Sequence, residues 1–245
     1  MRAALYLVAL VAGTVWYGSK VLLAAWFGRR ERRRDANERA TRGWGRLLLR
    51  AAGVPVTAQG LEHLRRGEAQ IIAANHQSWF DILAIFSALP LEVRFVAKKE
   101  LFAIPFFGSV LHALGHVRLD RSNRRAAIEA YGVAARYIRD ERLSVLVFPE
   151  GTRSRTGLMQ PFKSGSFVLA IESGAPVVPV YVAGTFGILP KGSLRVRPRP
   201  VTVAVGAPIP TTGLTVDDRD RLRDRTREAV ANLRAASVDA ARDAA

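Results

Sequence analysis

The chain contains no cysteine, which excludes disulfides, cysteine-ligated metals and a cysteine nucleophile. A Walker A sequence and a dinucleotide-binding glycine fingerprint are also missing, so nucleotide hydrolysis and hydride transfer find no support. Ser166, in Gly165-Ser166-Phe167, lacks the second glycine of a nucleophile elbow. Acidic residues are few against basic ones. Only 21 Asp+Glu face 37 Lys+Arg in 245 residues, a formal charge of +16, and the pI is near 11.3. That excess implies an anionic partner, and nucleic acid, a membrane surface and a phosphorylated substrate all qualify. The length suits one sizeable core with appendages, and neither an internal repeat nor a long linker is visible.

What is present begins with a long apolar stretch. Ala3 to Phe27 is interrupted only by small or weakly polar residues and by Lys20. As a helix it would extend roughly 37 Å, enough to cross a hydrocarbon core of about 30 Å. Lys20 can snorkel, and Trp16, Tyr17 and Trp26 suit an interface. A cleaved signal peptide would carry its charges before the apolar stretch. Here the basic run Arg29-Arg30-Glu31-Arg32-Arg33-Arg34 follows it, the arrangement of a segment that stays cytoplasmic. The expectation is a membrane anchor, either spanning the bilayer or lying in its surface, with a buried core helix as the alternative.

Beyond the basic run, Asn37 to Ala52 reads as a helix closed by Gly53 and Pro55. Strand-like runs then alternate with helical stretches. Strands are expected at Val54–Ala58, Ala69–Ala74, Val93–Ala97, His116–Leu119, Leu143–Phe148 and Val177–Ala183, with a ribbon through Leu194–Val205. Helices are expected at Ser78–Leu89, Ile104–Leu114, Arg124–Asp140 and Phe162–Ser173. In the third of these Ile128, Tyr131, Ala135 and Ile138 mark one face. Unbroken apolar runs such as Ser144-Val145-Leu146-Val147-Phe148 suit strands buried on both faces. Together with the alternation, they predict an α/β fold with a mixed, largely parallel sheet flanked by helices. A charged amphipathic helix from about Val216 closes the chain. The expected division is residues 1–53 as anchor, basic run and amphipathic helix, 54–214 as the catalytic domain, and 215–245 as the terminal helix and tail.

Two blocks carry the chemistry. Asn75-His76-Gln77-Ser78-Trp79-Phe80-Asp81 stands where a strand meets a helix. With Ser78 as N-cap, Asp81 falls at N3 and completes a capping box, a structural role that needs no catalysis. The same geometry has a chemical use. Mid-helix, residues five apart sit about 140° apart and cannot meet. At a helix entrance, however, the N3 carboxylate leans back toward the loop that holds His76. A carboxylate on one ring nitrogen fixes the tautomer and leaves the other nitrogen to take a proton. The second block, Phe148-Pro149-Glu150-Gly151-Thr152-Arg153-Ser154, also ends an apolar strand. Gly151 lets backbone approach a ligand closely, Arg153 can clamp a phosphate, and Arg155 and Lys163 add positive potential. Both blocks end strands, where crevices open in α/β proteins. His112 and His116 have a metal-like spacing but no acid between them, and Gly115 ends the helix, so no metal site is expected.

Asn75-His76-x4-Asp81, followed roughly 70 residues later by Phe148–Ser154, resembles the glycerolipid acyltransferase family, specifically its bacterial 1-acyl-sn-glycerol-3-phosphate acyltransferases. Ala97-Lys98-Lys99-Glu100-Leu101, Gly115-His116-Val117-Arg118-Leu119-Asp120-Arg121 and Pro161-Phe162-Lys163-Ser164-Gly165 agree in order, over roughly Leu61 to Gly184. The resemblance implies His76 and Asp81 as the catalytic pair. It assigns the acceptor phosphate to Arg121, Glu150, Gly151, Thr152 and Arg153, with Lys98 and Lys163 as secondary positions. One departure stands before Arg121, where the family usually carries an apolar pair after the glycine and this chain has His116-Val117-Arg118.

The implied activity is transfer of an acyl group from acyl-CoA or an acyl carrier protein thioester to the sn-2 hydroxyl of lysophosphatidic acid, giving phosphatidic acid. No cofactor and no nucleic acid are called for, and the partner is the lipid bilayer, with the catalytic domain on the cytoplasmic side of the inner membrane. Two rivals stand beside it. One is a same-family enzyme acting on a lyso-ornithine lipid, glycerol-3-phosphate or another lysophospholipid. The other is a non-enzymatic basic protein that binds membrane or nucleic acid through charge.

Overall fold

Ile71-Ile72-Ala73-Ala74 and Val145-Leu146-Val147 show no polar alternation because both occupy the middle of a sheet covered on its two faces. A computed structural model describes residues 2–28, 30–119, 124–193 and 195–243. Its strands are β1 (Val56–Gln59), β2 (Gln70–Ala74), β3 (Val93–Lys98), β4 (Val117–Leu119), β5 (Ser144–Val147), β6 (Val177–Ala183) and β7 (Val201–Val205). They form one seven-stranded sheet in the order β1-β7-β6-β2-β5-β3-β4. Every neighbouring pair is parallel except β6 with β7. The mixed, largely parallel sheet read from the sequence is the one observed.

The helices are α1 (Arg2–Phe27), α2 (Arg30–Ala52), α3 (Phe80–Ala88), α4 (Phe107–Ala113), α5 (Arg124–Glu141), α6 (Gly165–Ser173), α7 (Thr185–Ile188) and α8 (Arg219–Asp243). Strand residues alternate between two cores. Ile72, Ala74 and Leu146 pack with Leu48 and Leu49 of α2, Phe80 and Ile85 of α3, and Ile188 of α7. Ile71, Ala73 and Val145 pack with Ala135 and Ile138 of α5, Phe167 and Leu169 of α6, and Leu222 and Val230 of α8. The side chains of Ile128 and Tyr131 lie outside the described ones.

This two-sided covering places the site. From β2 the chain crosses over α3 on one face to reach β3, whereas from β5 it crosses α6 on the other face to reach β6. Because β2 and β5 are neighbours, their outgoing loops part and leave a crevice at the carboxyl ends of the strands. Asn75 continues β2 into that crevice. Its amide donates to the Val182 carbonyl at 3.0 Å and accepts from the Val182 N–H at 2.7 Å, closing the ladder with β6.

Some sequence expectations need correction. The ribbon through Leu194–Val205 is a single strand from Val201, since Pro198 and Pro200 remove the donors a longer one would need; Leu194 lies outside the described residues. The second helix begins at Arg30 rather than Asn37 and takes up most of the basic run. Arg34 donates to the Glu141 carbonyl and pairs with Glu92 and Glu141, so part of the run serves to tie α2 to the end of α5 and to the residue before β3. Helix α1 is not a lone segment either. It packs on α2 and α4, with Gly43 against Tyr17 and the Trp44 indole donating to Thr14 at 3.0 Å. Its other face exposes Leu7, Val8, Val11, Val15, Trp16 and Leu23.

Asn75→Ala would leave a buried N–H and a buried carbonyl of Val182 unmet, at about 1–3 kcal/mol each. Thermal unfolding in detergent should show a loss of about 2–4 kcal/mol; a change within about 0.5 kcal/mol would mean that the bridge is not needed.

Candidate active site

His76 follows β2 and Asp81 opens α3, and the two meet as the helix-entrance geometry requires. His76 Nδ1 lies 2.8 Å from Asp81 Oδ2. That oxygen also accepts the backbone N–H groups of Gln77 at 2.7 Å and Ser78 at 2.9 Å. Oδ1 accepts the Thr185 hydroxyl, from the start of α7. Asp81 is fully buried. A carboxylate so surrounded is an acceptor, so Nδ1 carries the proton and Nε2 is the basic nitrogen. The imidazole is stacked on Phe148, centroids 3.9 Å apart and planes 13° apart, which holds its plane. The capping box forms only in half. Asp81 receives the Ser78 N–H, but Ser78 Oγ accepts from Phe80, at 3.3 Å, rather than from Asp81, and the helix is bounded at Phe80 with Trp79 as its N-cap.

The second block lies against the first. Glu150 Oε1 accepts the His76 N–H at 2.8 Å, and Oε2 accepts the Gln160 N–H at 3.0 Å. The Ser154 N–H donates to the His76 carbonyl at 2.8 Å, which joins the two loops backbone to backbone. Glu150 was expected at the acceptor phosphate, and the geometry corrects this. The residue is 2% exposed, both carboxylate oxygens are occupied, and it braces the backbone beneath His76. Burial pushes its pKa up to about 7, partly offset by the two backbone N–H bonds.

The remaining predicted residues gather at the crevice mouth. Gly151 has φ +73°, and a Cβ there would meet the Lys163 amine at 3.0 Å, so the glycine keeps that cation close to the loop. Arg153 lies over the Trp79 ring, 5.1 Å from its centroid, and partial burial lowers its pKa while leaving it charged. Thr152 accepts from Lys191 Nζ at 2.9 Å. Arg121 and the side chain of Lys98 lie outside the described residues. Sequence reasoning missed Thr185, Gln160 and Lys191. Thr185 had a signal, because Gly184-Thr185 follows the strand beside β2; Lys191, in Pro190-Lys191-Gly192, had none.

His76, Trp79, Phe148, Gly151, Thr152, Arg153 and Lys191 edge a cavity of about 1030 Å³. Away from them its walls are mainly apolar and come largely from α1, α2, α3, β3 and α4, with Thr14, Thr41 and His116 among them. One polar end with a base and cations, and a long apolar body, fits an amphiphile with an anionic head. Among the described residues no group of three His, Asp or Glu side chains is placed to hold a metal ion.

Fold and site together define an α/β protein with a carboxylate-held histidine at the mouth of a mainly apolar cavity. The acyltransferase family model matches residues 55–183, and the chain belongs to that family. It is 38% identical over 209 residues to a 1-acyl-sn-glycerol-3-phosphate acyltransferase of Cocos nucifera, covering 85% of this chain and 66% of that protein. Identity is 33% over 178 residues to the alpha form of the Homo sapiens enzyme of that name, covering 73% of this chain and 63% of the relative. The chain thus spans a little under two thirds of the length of these curated relatives. The crystal structure of the 1-acyl-sn-glycerophosphate (LPA) acyltransferase PlsC from Thermotoga maritima matches with a TM-score of 0.80 at 27% identity. That match covers 97% of this chain and 98% of the other.

The position of Glu150 generates a test. Glu150→Gln can satisfy only one of the two N–H donors and turns its own N–H₂ on the other. It should lower kcat about 10-fold while leaving the acceptor KM within about twofold; a rise in KM alone would restore the phosphate role. The raised pKa has its own signature. The stabilising contribution of Glu150 is complete below the ordinary value of 4.5 and is lost as pH rises to about 7. Wild type should therefore lose stability relative to Glu150→Gln across that window, read from unfolding midpoints at each pH.

Proposed function

We propose that this protein transfers a fatty acyl group from a thioester to the sn-2 hydroxyl of 1-acyl-sn-glycerol-3-phosphate, giving phosphatidic acid. The observation that carries the reading is the His76–Asp81 pair at the mouth of an apolar cavity, with Arg153 and Lys191 on the same rim. The names of the relatives with which the chain shares its family agree with it.

In this mechanism the acceptor phosphate rests against Arg153, Lys191 and Thr152, which places the free hydroxyl near His76. Nε2 takes the hydroxyl proton as the oxygen bonds to the thioester carbonyl carbon. Asp81 holds the resulting imidazolium through Nδ1. The tetrahedral intermediate collapses, the carbon–sulfur bond breaks, and the thiolate recovers a proton from the imidazolium. A thiolate leaves without a strong acid, and the acyl group passes directly to the acceptor with no acyl-enzyme. Beyond the thioester of acyl-CoA or acyl carrier protein, the scheme calls for no cofactor.

Acceptor and product are bilayer lipids, and α1 suits that location. Tyr6–Phe27 is long and apolar enough to cross a membrane. Val11 and Val15 are exposed and border the cavity, while Val8 and Trp16 of the same helix are exposed and do not, so lipid chains in the bilayer lie one helix away from the interior. The arginines that follow α1 favour the cytoplasmic side and anionic headgroups, at about 1 kcal/mol for each residue near the surface. We assign the catalytic domain to the cytoplasmic face of the inner membrane.

His76→Ala should cut turnover by about 10²–10⁴-fold with unchanged thermal unfolding, measured as thiol release on lysophosphatidate. Near-normal turnover would sink the assignment. Arg153→Ala should raise the apparent KM for lysophosphatidate more than for the thioester; equal effects on both would remove the phosphate role. A panel of lyso-acceptors, including lyso-ornithine lipid and glycerol-3-phosphate, separates the same-family alternatives.

A further inference from the structure

Between Glu172 and Asp217 the chain has no acid, and its four cations there, Lys191, Arg195, Arg197 and Arg199, fall within nine residues. They belong to the segment joining α7 to β7, which leaves from the cavity-edge residues Leu189 and Lys191. Arg195, Arg197 and Arg199 are exposed, and among the described residues none of them forms an ion pair with an acid. A like-charged group without counter-charge of its own attracts an anion from outside.

The segment is held beside the active site. The Leu189 carbonyl accepts the Ser78 hydroxyl at 2.9 Å, and the Arg197 N–H donates to the Ile188 carbonyl at 2.9 Å. Val196 packs on the core that α2 and α3 cover. Arg199 lies across α7, where a Cβ on Gly187 would come 2.8 Å from its Cδ and 3.1 Å from its Nε. Arg197 and Arg199 each precede a proline, which keeps their backbone extended.

Strand register gives the distance to the base. Ala74 of β2 is level with Val180 of β6, and Val182 of β6 with Val203 of β7. Counting on from Ala74, His76 is level with Val182 and hence with Val203, and Arg199 lies four residues before Val203. Because β7 runs against β2, those four residues extend outward past the carboxyl ends of the parallel strands, two strands across from β2. With about 3.3 Å per residue and about 4.8 Å between strands, Arg199 is on the order of 16 Å from His76. The acceptor's own phosphate cannot reach so far. In a lysophosphatidate only two carbons and one oxygen join the free hydroxyl to the phosphorus, a span of roughly 5 Å. In a pantetheine thioester the chain from sulfur to phosphate is as long as about four extended residues, roughly 15 Å.

We propose that Arg195, Arg197 and Arg199 bind the phosphorylated pantetheine arm of the thioester donor, at a site separate from the acceptor site of Arg153, Lys191 and Thr152. The proposal rests on the acyl-transfer reading. With the thioester carbonyl at His76, the arm leaves by the cavity mouth, follows the segment past Leu189 and brings its phosphate to the arginines. CoA and an acyl carrier protein both present this phosphate, so the site serves either donor. A bilayer headgroup would need no fixed distance from His76, whereas the tethers to Ser78 and α7 set one.

The test compares donors on the purified full-length protein in neutral detergent micelles, with lysophosphatidate as acceptor. Three donors carry the same acyl chain: acyl-CoA, acylated carrier protein, and acyl-pantetheine, which lacks the phosphate. Arg195→Gln/Arg197→Gln should raise the KM about 10-fold for one or both phosphorylated donors. It should leave kcat, the lysophosphatidate KM and kcat/KM for acyl-pantetheine within about twofold. Arg195→Lys/Arg197→Lys keeps the charge and should restore most of the loss. The phosphorylated donor that responds identifies the source of the arm. An equal change with acyl-pantetheine, or no change with either phosphorylated donor, overturns the proposal. So does weaker sedimentation with phosphatidylglycerol vesicles at unchanged donor KM, which would make the segment a headgroup contact. If wild type turns over none of the three donors, the acyl-transfer reading falls instead. Calorimetric titration with CoA then decides the arginine site: binding about 10-fold tighter to wild type than to the glutamine variant supports it, and equal binding overturns it.

Discussion

The carboxylate of Asp81 is the group on which the rest of the site depends. Among the described residues it is buried with no lysine or arginine paired to it, which would be unfavourable unless every lone pair were used. Donors from three directions use them: two backbone N–H groups of the β2–α3 turn, the His76 imidazole, and the Thr185 hydroxyl at the start of α7. Capping and the catalytic role proposed for this residue are therefore not competing explanations. The bonds that hold the turn in shape also hold the imidazole in the tautomer that leaves Nε2 basic. Removing the carboxylate would orphan two backbone donors and release the base in one step.

Around that centre, acids face inward and cations outward. Asp81 and Glu150 lie beneath His76 and bind N–H or O–H donors of the scaffold, while Arg153, Lys163 and Lys191 stand at the mouth. On the proposed reading Arg153 and Lys191, which border the cavity, are the cations that meet the acceptor phosphate. Much of the chain's positive charge does other work, as where Arg34 joins α2 to the end of α5 and the residue before β3, or Arg223 pairs with Asp220 and Asp224 on α8. The net charge of +16 thus describes attraction to an anionic surface rather than recognition of one headgroup.

Local chemistry was legible in the sequence where the structure depends on neighbours in the chain. Buried strands declared themselves by unbroken apolar runs, and the His76–Asp81 meeting followed from the direction in which helical side chains lean. What failed to show depended on distant partners. Pro149-Glu150-Gly151 reads alike whether the carboxylate faces a ligand or the underside of His76, and only the fold brings the Gln160 N–H to it. Lys191 reaches Thr152 from a turn after α7 that has no motif of its own. The missing first half of β7 had a local cause, two prolines, whose effect an apolar count alone conceals.

The cavity and the first helix have to be understood together. A helix packed on a protein core and facing water buries one apolar stripe and shows polar residues elsewhere. On α1, Tyr17 and Val21 face α2 and α4, while Leu7, Val8, Trp16, Leu23 and Trp26 face outward, so both sides are apolar. A contiguous apolar face of this kind calls for a cover. On the proposed reading that cover is the bilayer itself, and α1 becomes a shared wall between membrane hydrocarbon and the protein's own apolar cavity. A lipid chain then moves from one apolar medium to another with little desolvation. The main change of environment falls on the headgroup, at the rim where Arg153 and Lys191 stand beside the base.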